Sequence, residues 1–318
     1  MSPHLPRCKI EPAPESQFSF VIYGHEVTRW HFSSNAPRPF FYPLVGPSGA
    51  QLTRMGHPGA PNHDHHRSLW FAHADLLGYD FWSEGKATRI VQKQWYAIED
   101  GEDSARIALC LLWLDGHDPQ PLLQHDLIAT VRPHGNSFEN GWSLELQSDF
   151  STKATGTEFR KSNFGILGLR LAKSMSVHFG GGTITGADGK QGEANLFGNP
   201  NRWIDYSGPS HLDTNGNEQM EGITIIDHRD NPASKNAGST VKWHIRSDGW
   251  IGPSLSRDDN IALQPNQAMT VRYLLDIHPG SCLPQRATEL ADRFDKSKAV
   301  GIHKSIQPHL QYEFSTLS

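Results

Sequence analysis

The sequence lacks the features that mark several large protein classes. Its 318 residues contain three cysteines, Cys8, Cys110 and Cys282, and an odd, scattered set predicts neither a disulfide framework nor a cysteine zinc site. No window approaches the length of uncharged apolar chain that a membrane helix needs, so we expect no membrane partner. The N-terminus has no apolar stretch of signal-peptide length, which favours a cytoplasmic location.

A basic stretch is also missing. Lys and Arg number 29 against 34 for Asp and Glu, which gives a formal net charge of −5. Proteins that bind nucleic acid usually present a run or stripe of basic side chains to the phosphates. The sequence therefore predicts no nucleic-acid partner.

Residues that break helices are abundant instead. The 29 Gly and 21 Pro are too many for a helical bundle and suit many strands joined by turns. Hydrophobic residues make up 36% of the chain, including nine Trp and fifteen Phe, which supplies a sizeable core and excludes global disorder. No composition boundary divides the chain. We predict a single domain over residues 1–318, with residues 1–17 as a flexible or loosely packed segment.

Periodicity predicts strands along most of the chain and one helix. Apolar residues follow Pro284 at i, i+3, i+4 and i+7 spacing, which predicts a short C-terminal helix. Three long β runs from residue 89 onward predict an antiparallel meander. Long loops are expected over His57–Ser68, Gly180–Phe197 and His228–Thr240. The predicted strands are Phe18–Tyr23, Glu26–Phe32, Phe40–Val45, Arg89–Glu99, Ala105–Leu114, Leu122–Val131, Trp142–Phe150, Ile166–Leu171, Met175–Phe179, Gly222–Asp227, Val241–Ile245, Asn260–Leu263 and Met269–Ile277.

Histidine is unusually frequent, with 18 in the chain, and residues 62–73 hold the densest group. Clustered imidazoles repel one another when protonated, so holding them together costs free energy unless a metal, a carboxylate or a substrate compensates. We interpret His63, His65 and His66 as acid–base or metal-binding groups. A structural hydrogen-bonding knot is the alternative.

Other candidates combine aromatic rings with charged groups. Rings stack on the apolar face of a sugar while carboxylates accept hydrogen bonds from its hydroxyls, so such pairs are typical of sugar pockets. Asp227 and His228 end a predicted strand and are the candidate opposing base. The candidate substrate-binding residues are Arg54, Arg67, Asp80, Trp82, Glu84, Arg170, Trp203, Trp243 and His244.

A metal site is a second interpretation. His73-Ala74-Asp75 matches half of a two-His, one-carboxylate iron site, which a distant His178 or His228 would complete. His63, His65 and His73 are the candidate ligands of a divalent metal ion. The sequence contains no GxxxxGK[ST], HExxH or GxSxG motif.

Several segments carry a family resemblance. The stretch from Arg38 to Trp82, then FGILGLRLAKSMSVHFGGG, RWIDYSGP, GITIIDHRDNPA and DGWIGPS, resembles the PmoA-like family of bacterial proteins. More distantly, Asn62-His63-Asp64-His65 before a Gly-Tyr-Asp-Phe-Trp segment is similar to the galactose-mutarotase-like proteins. The resemblance implies an all-β fold, a large antiparallel β-sandwich of the supersandwich type with a short C-terminal helix. His66-Arg67 replaces the usual glycine pair, and no late-strand Glu is in the expected place.

Together these features favour a carbohydrate-active enzyme. We expect acid–base chemistry on a sugar or keto-sugar, namely ring opening, epimerisation or elimination, with a small-molecule carbohydrate as the partner. A metal-dependent β-sandwich oxygenase and a non-catalytic sugar-binding module are the two alternatives.

Overall fold

Strands dominate the computed structural model, which describes residues 5–56, 63–152, 156–235 and 240–316. The strands are β1 (Cys8–Ala13), β2 (Gln17–Ile22), β3 (His25–His31), β4 (Phe40–Leu44), β5 (Leu69–His73), β6 (Arg89–Glu99), β7 (Ala105–Leu114), β8 (Leu123–Pro133), β9 (Trp142–Ser151), β10 (Thr157–Phe159), β11 (Gly165–Arg170), β12 (Thr183–Gly186), β13 (Trp203–Leu212), β14 (Glu218–Asp227), β15 (Lys242–Arg246), β16 (Trp250–Ser254), β17 (Ile261–Leu263), β18 (Ala268–Pro279), β19 (Val300–Lys304) and β20 (Tyr312–Thr316). The α-helices are α1 (Val177–Gly180), α2 (Glu193–Leu196), α3 (Pro232–Lys235) and α4 (Pro284–Lys296).

Two eight-stranded antiparallel sheets form the body of the protein. The first sheet has the order β1-β2-β3-β4-β5-β11-β16-β15, and the second has the order β12-β13-β14-β18-β9-β8-β7-β6. The run from β6 to β9 is the predicted antiparallel meander. These sheets confirm the predicted all-β class and the large antiparallel β-sandwich with a short C-terminal helix.

The hydrophobic core lies between the sheets and draws side chains from both. Leu69 and Phe71 of the first sheet belong to the same buried cluster as Leu109, Leu111 and Trp113 of the second. Each lies two positions from the next along its strand, because alternate side chains of a strand point to the same face. Burial of each such side chain stabilises the fold by about 1.5–3 kcal/mol.

The opposite face of the first sheet carries a different set of residues. In β15, Trp243 and Ile245 lie in the core, whereas His244 between them lines a cavity on the other face. In β11, Leu169 lies in the core and Arg170 beside it lines the same cavity. The alternation of the strands thus separates core residues from cavity residues.

Helix α4 covers part of the second sheet. Its residues Ala287, Leu290 and Phe294 pack against Trp203 and Ile226, which confirms the predicted amphipathic helix. The helix starts at Pro284, whose fixed φ suits a first helical position. No helix in the described parts of the chain is long and apolar enough to cross a membrane.

Some sequence predictions are corrected. Met175–Phe179, predicted as a strand, is a 3₁₀ turn followed by α1, whose Phe179 N–H donates to the Ser176 hydroxyl at 3.2 Å. Gly180–Phe197, predicted as a loop, contains β12 and α2. The segment 1–17, predicted as loosely packed, contains β1, which pairs with β2 and buries Cys8. The single-domain assignment stays a prediction.

Candidate functional site

A cavity of about 460 Å³ lies against the first sheet, on the face away from the core. This volume falls within the range of small-molecule sites. It brings together seven of the residues predicted from sequence, His63, His65, His66, Asp80, Trp82, Arg170 and His244. It also contains Phe164, Arg246, Asp248 and Trp250, which sequence reasoning did not select.

Indole rings dominate the base of the cavity. We call Trp70, Trp82 and Trp250 the indole cluster, because their ring centroids are 5.3–5.4 Å apart. His66 stacks on two of its members, at 5.4 Å from Trp70 and 5.0 Å from Trp250, with interplanar angles of 27° and 21°. Phe164 lies 5.4 Å from Trp82 and 4.8 Å from His244, and it is 38% exposed. The cavity therefore presents aromatic surface to a ligand from its base to its edge.

The absence of a side chain at Gly168 of β11 leaves room for the indole rings of Trp70 and Trp250. Gly168 pairs with Trp70 of β5, and a Cβ atom at this position would lie 2.7 Å from Trp250 Cη2 and 2.9 Å from Trp70 Cζ2. Both distances are shorter than real Cβ contacts, and both rings are buried. Only glycine fits there without displacing the indole cluster.

The variant Gly168→Ala is therefore expected to lower the free energy of unfolding by about 1–3 kcal/mol, the usual cost of overpacking a core. Urea denaturation followed by circular dichroism measures the loss. Gly156→Ala is the matched control, because its Cβ would have no neighbour closer than 3.5 Å. Equal stability of the two variants would contradict the packing argument.

Contact with Trp82 sets the tautomer of His65. The indole N–H of Trp82 lies 3.1 Å from His65 Nε2. An indole nitrogen can only donate, so Nε2 accepts and the proton of the neutral ring is on Nδ1. Burial, with Arg38 and His63 adding to it, lowers the pKa of His65 to about 4. His65 is thus a neutral group that offers Nδ1–H to a ligand near neutral pH.

His244 is the second neutral imidazole of the cavity. The ring is 4% exposed, and burial followed by the charge of Arg246 lowers its pKa to about 4. Its buried Nδ1 has no hydrogen-bond partner among the described residues. A neutral imidazole with an unengaged nitrogen can accept a proton or a hydrogen bond from a ligand.

The remaining two histidines of the cavity complete a compact cluster. The rings of His65 and His66 are 4.4 Å apart at their centroids, and His63 lies 5.0 Å from His66 and 6.1 Å from His65. The three residues line one cavity, and their role as acid–base or metal-binding groups stays a prediction. Asn62, which opened the predicted motif, lies outside the described residues, as do His57–Pro61.

An ion pair between a buried arginine and a half-buried aspartate forms one wall. Arg170, with no exposed surface, donates from both terminal nitrogens to Asp248, at 2.9 and 3.1 Å. Arg54 donates to the Asp248 carbonyl oxygen at 3.0 Å. Burial, followed by the charge of Arg170, lowers the pKa of Arg54 to about 10. Arg170 thus pairs with the Asp248 carboxylate in the cavity wall, and Arg54 binds the backbone of the same residue without lining the cavity.

A similar group supports the loop that carries Trp82. Arg38 is buried and donates to the carbonyl oxygens of Phe81 and Trp82. Arg67 donates to both oxygens of Glu84, at 2.6 and 2.9 Å. Glu84 also lies 3.6 Å from Arg38. Arg67 and Glu84, predicted to bind substrate, instead pair with each other and do not line the cavity.

The predicted opposing base is elsewhere in the molecule. Asp227 accepts a hydrogen bond from Asn231 Nδ2 at 2.7 Å. His228 packs against Phe294 of α4 at 4.9 Å, and Arg272 lies 3.2 Å from its Nε2. The structure does not bring this pair to the His cluster, because β14 belongs to the second sheet. The pair therefore does not face the histidine cluster as predicted, and any catalytic role for it stays a prediction.

Two predicted stacking residues are also not in the cavity. Trp203 lies under α4, where its indole N–H reaches the Thr288 hydroxyl at 3.3 Å. Trp243 points into the main core and donates to the Asn201 carbonyl at 2.8 Å. Trp243 precedes His244 in β15 and therefore points to the opposite face of the first sheet. Trp203 belongs to β13 of the second sheet.

The predicted metal ligands do not converge in the described residues. His73 has no exposed surface; its Nε2 lies 2.7 Å from the Ser256 hydroxyl and its Nδ1 accepts the Asp75 N–H at 3.1 Å. Both ring nitrogens are therefore engaged away from His63 and His65. Across residues 5–56, 63–152, 156–235 and 240–316, no group of three or more His, Cys, Asp or Glu side chains is arranged to hold a metal ion.

The positions of the cavity residues that sequence reasoning missed are explained by the alternation of side chains along strands and by strand pairing. Arg246 lies two positions after His244 in β15, so both reach the same face. Trp250 is opposite Arg170 in the pairing of β11 with β16. Asp248 is in the turn between β15 and β16. Arg246 could have been predicted from the alternation of side chains around His244. Trp250 and Asp248, the neighbours of Arg170, could not, because they are brought to Arg170 by the pairing of strands distant in sequence.

One family model matches most of the chain. The model of DUF6807, described as a family of unknown function, matches residues 17–292. No curated protein matches the sequence. The resemblance to the PmoA-like family stays a prediction.

Two solved structures are similar in chain path. Galactose 1-epimerase from Lactobacillus acidophilus NCFM is 10% identical, with a TM-score of 0.37 over 86% of this chain and 98% of that one. Heparan sulfate lyase HepC from Pedobacter heparinus is 8% identical, with a TM-score of 0.32 over 95% of this chain. The chain spans 36% of the length of that lyase.

Proposed function

The chain belongs to the DUF6807 family, and we propose from its cavity that it is a carbohydrate-active enzyme that transfers protons on a bound sugar. The observation that carries the proposal is the meeting of His63, His65, His66 and His244 with Trp82 and Trp250 in one cavity. Aromatic faces bind the C–H face of a sugar ring. Neutral imidazoles hydrogen-bond its hydroxyls and can accept a proton.

The two imidazoles with known environments take different roles. His65 offers Nδ1–H, because Trp82 occupies its Nε2, and so orients an oxygen atom of the sugar. His244 lines the cavity as a neutral ring and is the proton acceptor. It takes a proton from the anomeric hydroxyl in ring opening and from an activated C–H group in epimerisation or elimination. A proton then goes to the ring oxygen in ring opening, back to carbon in epimerisation, and to the leaving oxygen in elimination. His63 and His66 close the cavity around them.

The variants His244→Gln and His65→Gln test these roles. General acid–base groups contribute roughly 10²–10⁴-fold to rate. We expect His244→Gln to lose that factor with little change in affinity, and His65→Gln to weaken binding as well. NMR of a sugar panel in D₂O detects all three reactions, through anomer exchange, deuterium uptake at carbon, or an unsaturated product.

The matched control is His303→Gln on β19, where His303 is 50% exposed and lies 3.0 Å from Glu313. This variant is expected to keep full activity. Binding of a sugar without any of the three reactions would replace the enzyme with a sugar-binding module. A wild-type protein that neither binds nor converts any sugar would overturn the proposal.

A further inference from the structure

The wall of the cavity around His244 has more positive than negative charge, although the chain carries a formal net charge of −5. The charged groups that act on His244 are Arg246 and Arg257 against Glu193. Behind them, Arg54 and Arg170 share Asp248. A concentration of positive charge in the cavity of an acidic protein attracts an anion, since charge of one sign in a cleft raises the local concentration of the other.

Arg246 is the group in this wall that is free to bind an anion. Its guanidinium lies over the Phe197 ring, 4.5 Å from the centroid, and donates one hydrogen bond to Glu193 at 2.8 Å. No other hydrogen bond joins this guanidinium to the parts of the chain that the structure describes. A guanidinium has five N–H donors, so an edge remains for two parallel bonds to a carboxylate. Stacking on the ring holds that edge in place.

Resting on the proposed function, we propose that the saccharide is an acidic one, a uronic acid, and that Arg246 binds its carboxylate. The charged groups in and behind this wall are four arginines, Arg54, Arg170, Arg246 and Arg257, against three carboxylates, Asp80, Glu193 and Asp248. The excess is one positive charge, which matches the single charge of a carboxylate. The bound carboxylate also acts on catalysis. A negative charge near His244 favours its protonated form and raises its pKa, which strengthens it as a proton acceptor.

Pairs of sugars that differ only at C6 test the inference, namely glucuronate with glucose and galacturonate with galactose. Titration followed by tryptophan fluorescence reports binding, because Trp82 and Trp250 line the cavity. We expect each uronate to bind at least about tenfold more tightly than its neutral partner, as a charge-assisted hydrogen-bond pair provides. The preference should weaken as salt is added.

The variant Arg246→Gln is expected to bring the affinity ratio of each pair close to one while the neutral sugar binds as before. Arg106→Gln is the matched control, because Arg106 also lies over a ring, 4.2 Å from the Phe314 centroid, and also donates to a glutamate, Glu99, at 2.8 Å. This control should keep the full preference.

Three results would overturn the inference in distinguishable ways. Equal or tighter binding of the neutral sugars overturns the acidic substrate and leaves the proposed function standing. A preference that survives in Arg246→Gln overturns the role of Arg246. Failure of every sugar, acidic and neutral, to bind overturns the proposed function together with the inference.

Discussion

The variant Asp248→Asn is expected to lower the free energy of unfolding by about 3–5 kcal/mol, the usual cost of leaving a buried charge without its partner. Asp248 is the carboxylate that faces both Arg170 and Arg54. Arg170 has no exposed surface, and the Asp248 side chain is 30% exposed, so water replaces the lost charge only in part. The amide of asparagine retains the shape of the side chain and removes only the charge. Urea denaturation at neutral pH measures the change.

A surface pair provides the comparison for this variant. Lys242 and Asp258 lie 2.9 Å apart with side chains 38% and 56% exposed. Asp258→Asn should cost less than about 1 kcal/mol, because solvent screens an exposed pair. In the double variant Arg170→Met/Asp248→Asn, part of the lost stability should return. A small effect of Asp248→Asn alone would show that the arginines are solvated in solution.

Acidification is expected to destabilise the protein by several kcal/mol between about pH 6.5 and pH 4. Burial lowers the pKa of His73 and of His244 to about 4, and that of His125 to about 3. An unfolded histidine has a pKa near 6.5. In this window the unfolded chain therefore binds protons that the folded chain does not, so stability falls as the pH falls. Each buried imidazole contributes roughly 1 kcal/mol per pH unit.

His278 changes the free energy of unfolding with pH in the opposite direction, because its pKa is raised. Asp205, 2.7 Å from His278 Nε2, raises the pKa of His278 against the effect of burial. Its contribution is complete below the unfolded pKa and is lost as the pH rises through the folded value. The stabilisation by His278 therefore changes only above about pH 6.5 and does not offset the loss between pH 6.5 and pH 4. Burial also lowers the pKa of His65, His31 and His228. Six lowered pKa values against one raised value leave a net loss of stability in acid.

Denaturation at about pH 7, 6 and 5 measures how the free energy of unfolding changes with pH. The variant His125→Gln removes one of the buried histidines from this pH dependence. His125 is fully buried with its Nε2 2.9 Å from the Ser148 hydroxyl, a contact that a glutamine can replace. The change in the free energy of unfolding with pH should be smaller for this variant, because unfolding takes up about one proton fewer. His303→Gln should leave the pH dependence unchanged. A flat profile for the wild-type protein would contradict the buried neutral state of these rings.

The sequence predicts most of the strands well because their alternation is local. The predicted bounds of Arg89–Glu99 and Ala105–Leu114 coincide with β6 and β7. Trp203–Leu212 was missed, since Arg202, Asp205 and Pro209 interrupt its pattern. There, Asp205 is buried and accepts hydrogen bonds from Ser207 of the same strand and from Thr224 of β14, and it lies 2.7 Å from His278 of β18. Local periodicity contains no information about such partners.

The candidate site was predictable where its residues are close in sequence. His63, His65 and His66 stand out as a cluster, and the structure places them in one cavity. The choice between Trp243 and His244 depended on which face of β15 meets the core, and period two alone leaves that choice open. Asp227 failed as a candidate for another reason: its strand belongs to the second sheet, and the assignment of strands to sheets is a long-range property.

Alternate side chains of β11 and β15 point to the core and to the cavity, and this has an evolutionary consequence. Substitutions at His244 or Arg246 alter what the pocket recognises while Trp243 and Ile245, their neighbours in the chain, continue to hold the sheets together. Related chains could therefore diversify in specificity through every second position of these strands without losing the ability to fold. Gly168 is the exception, because it has no side chain to exchange and both indoles depend on it.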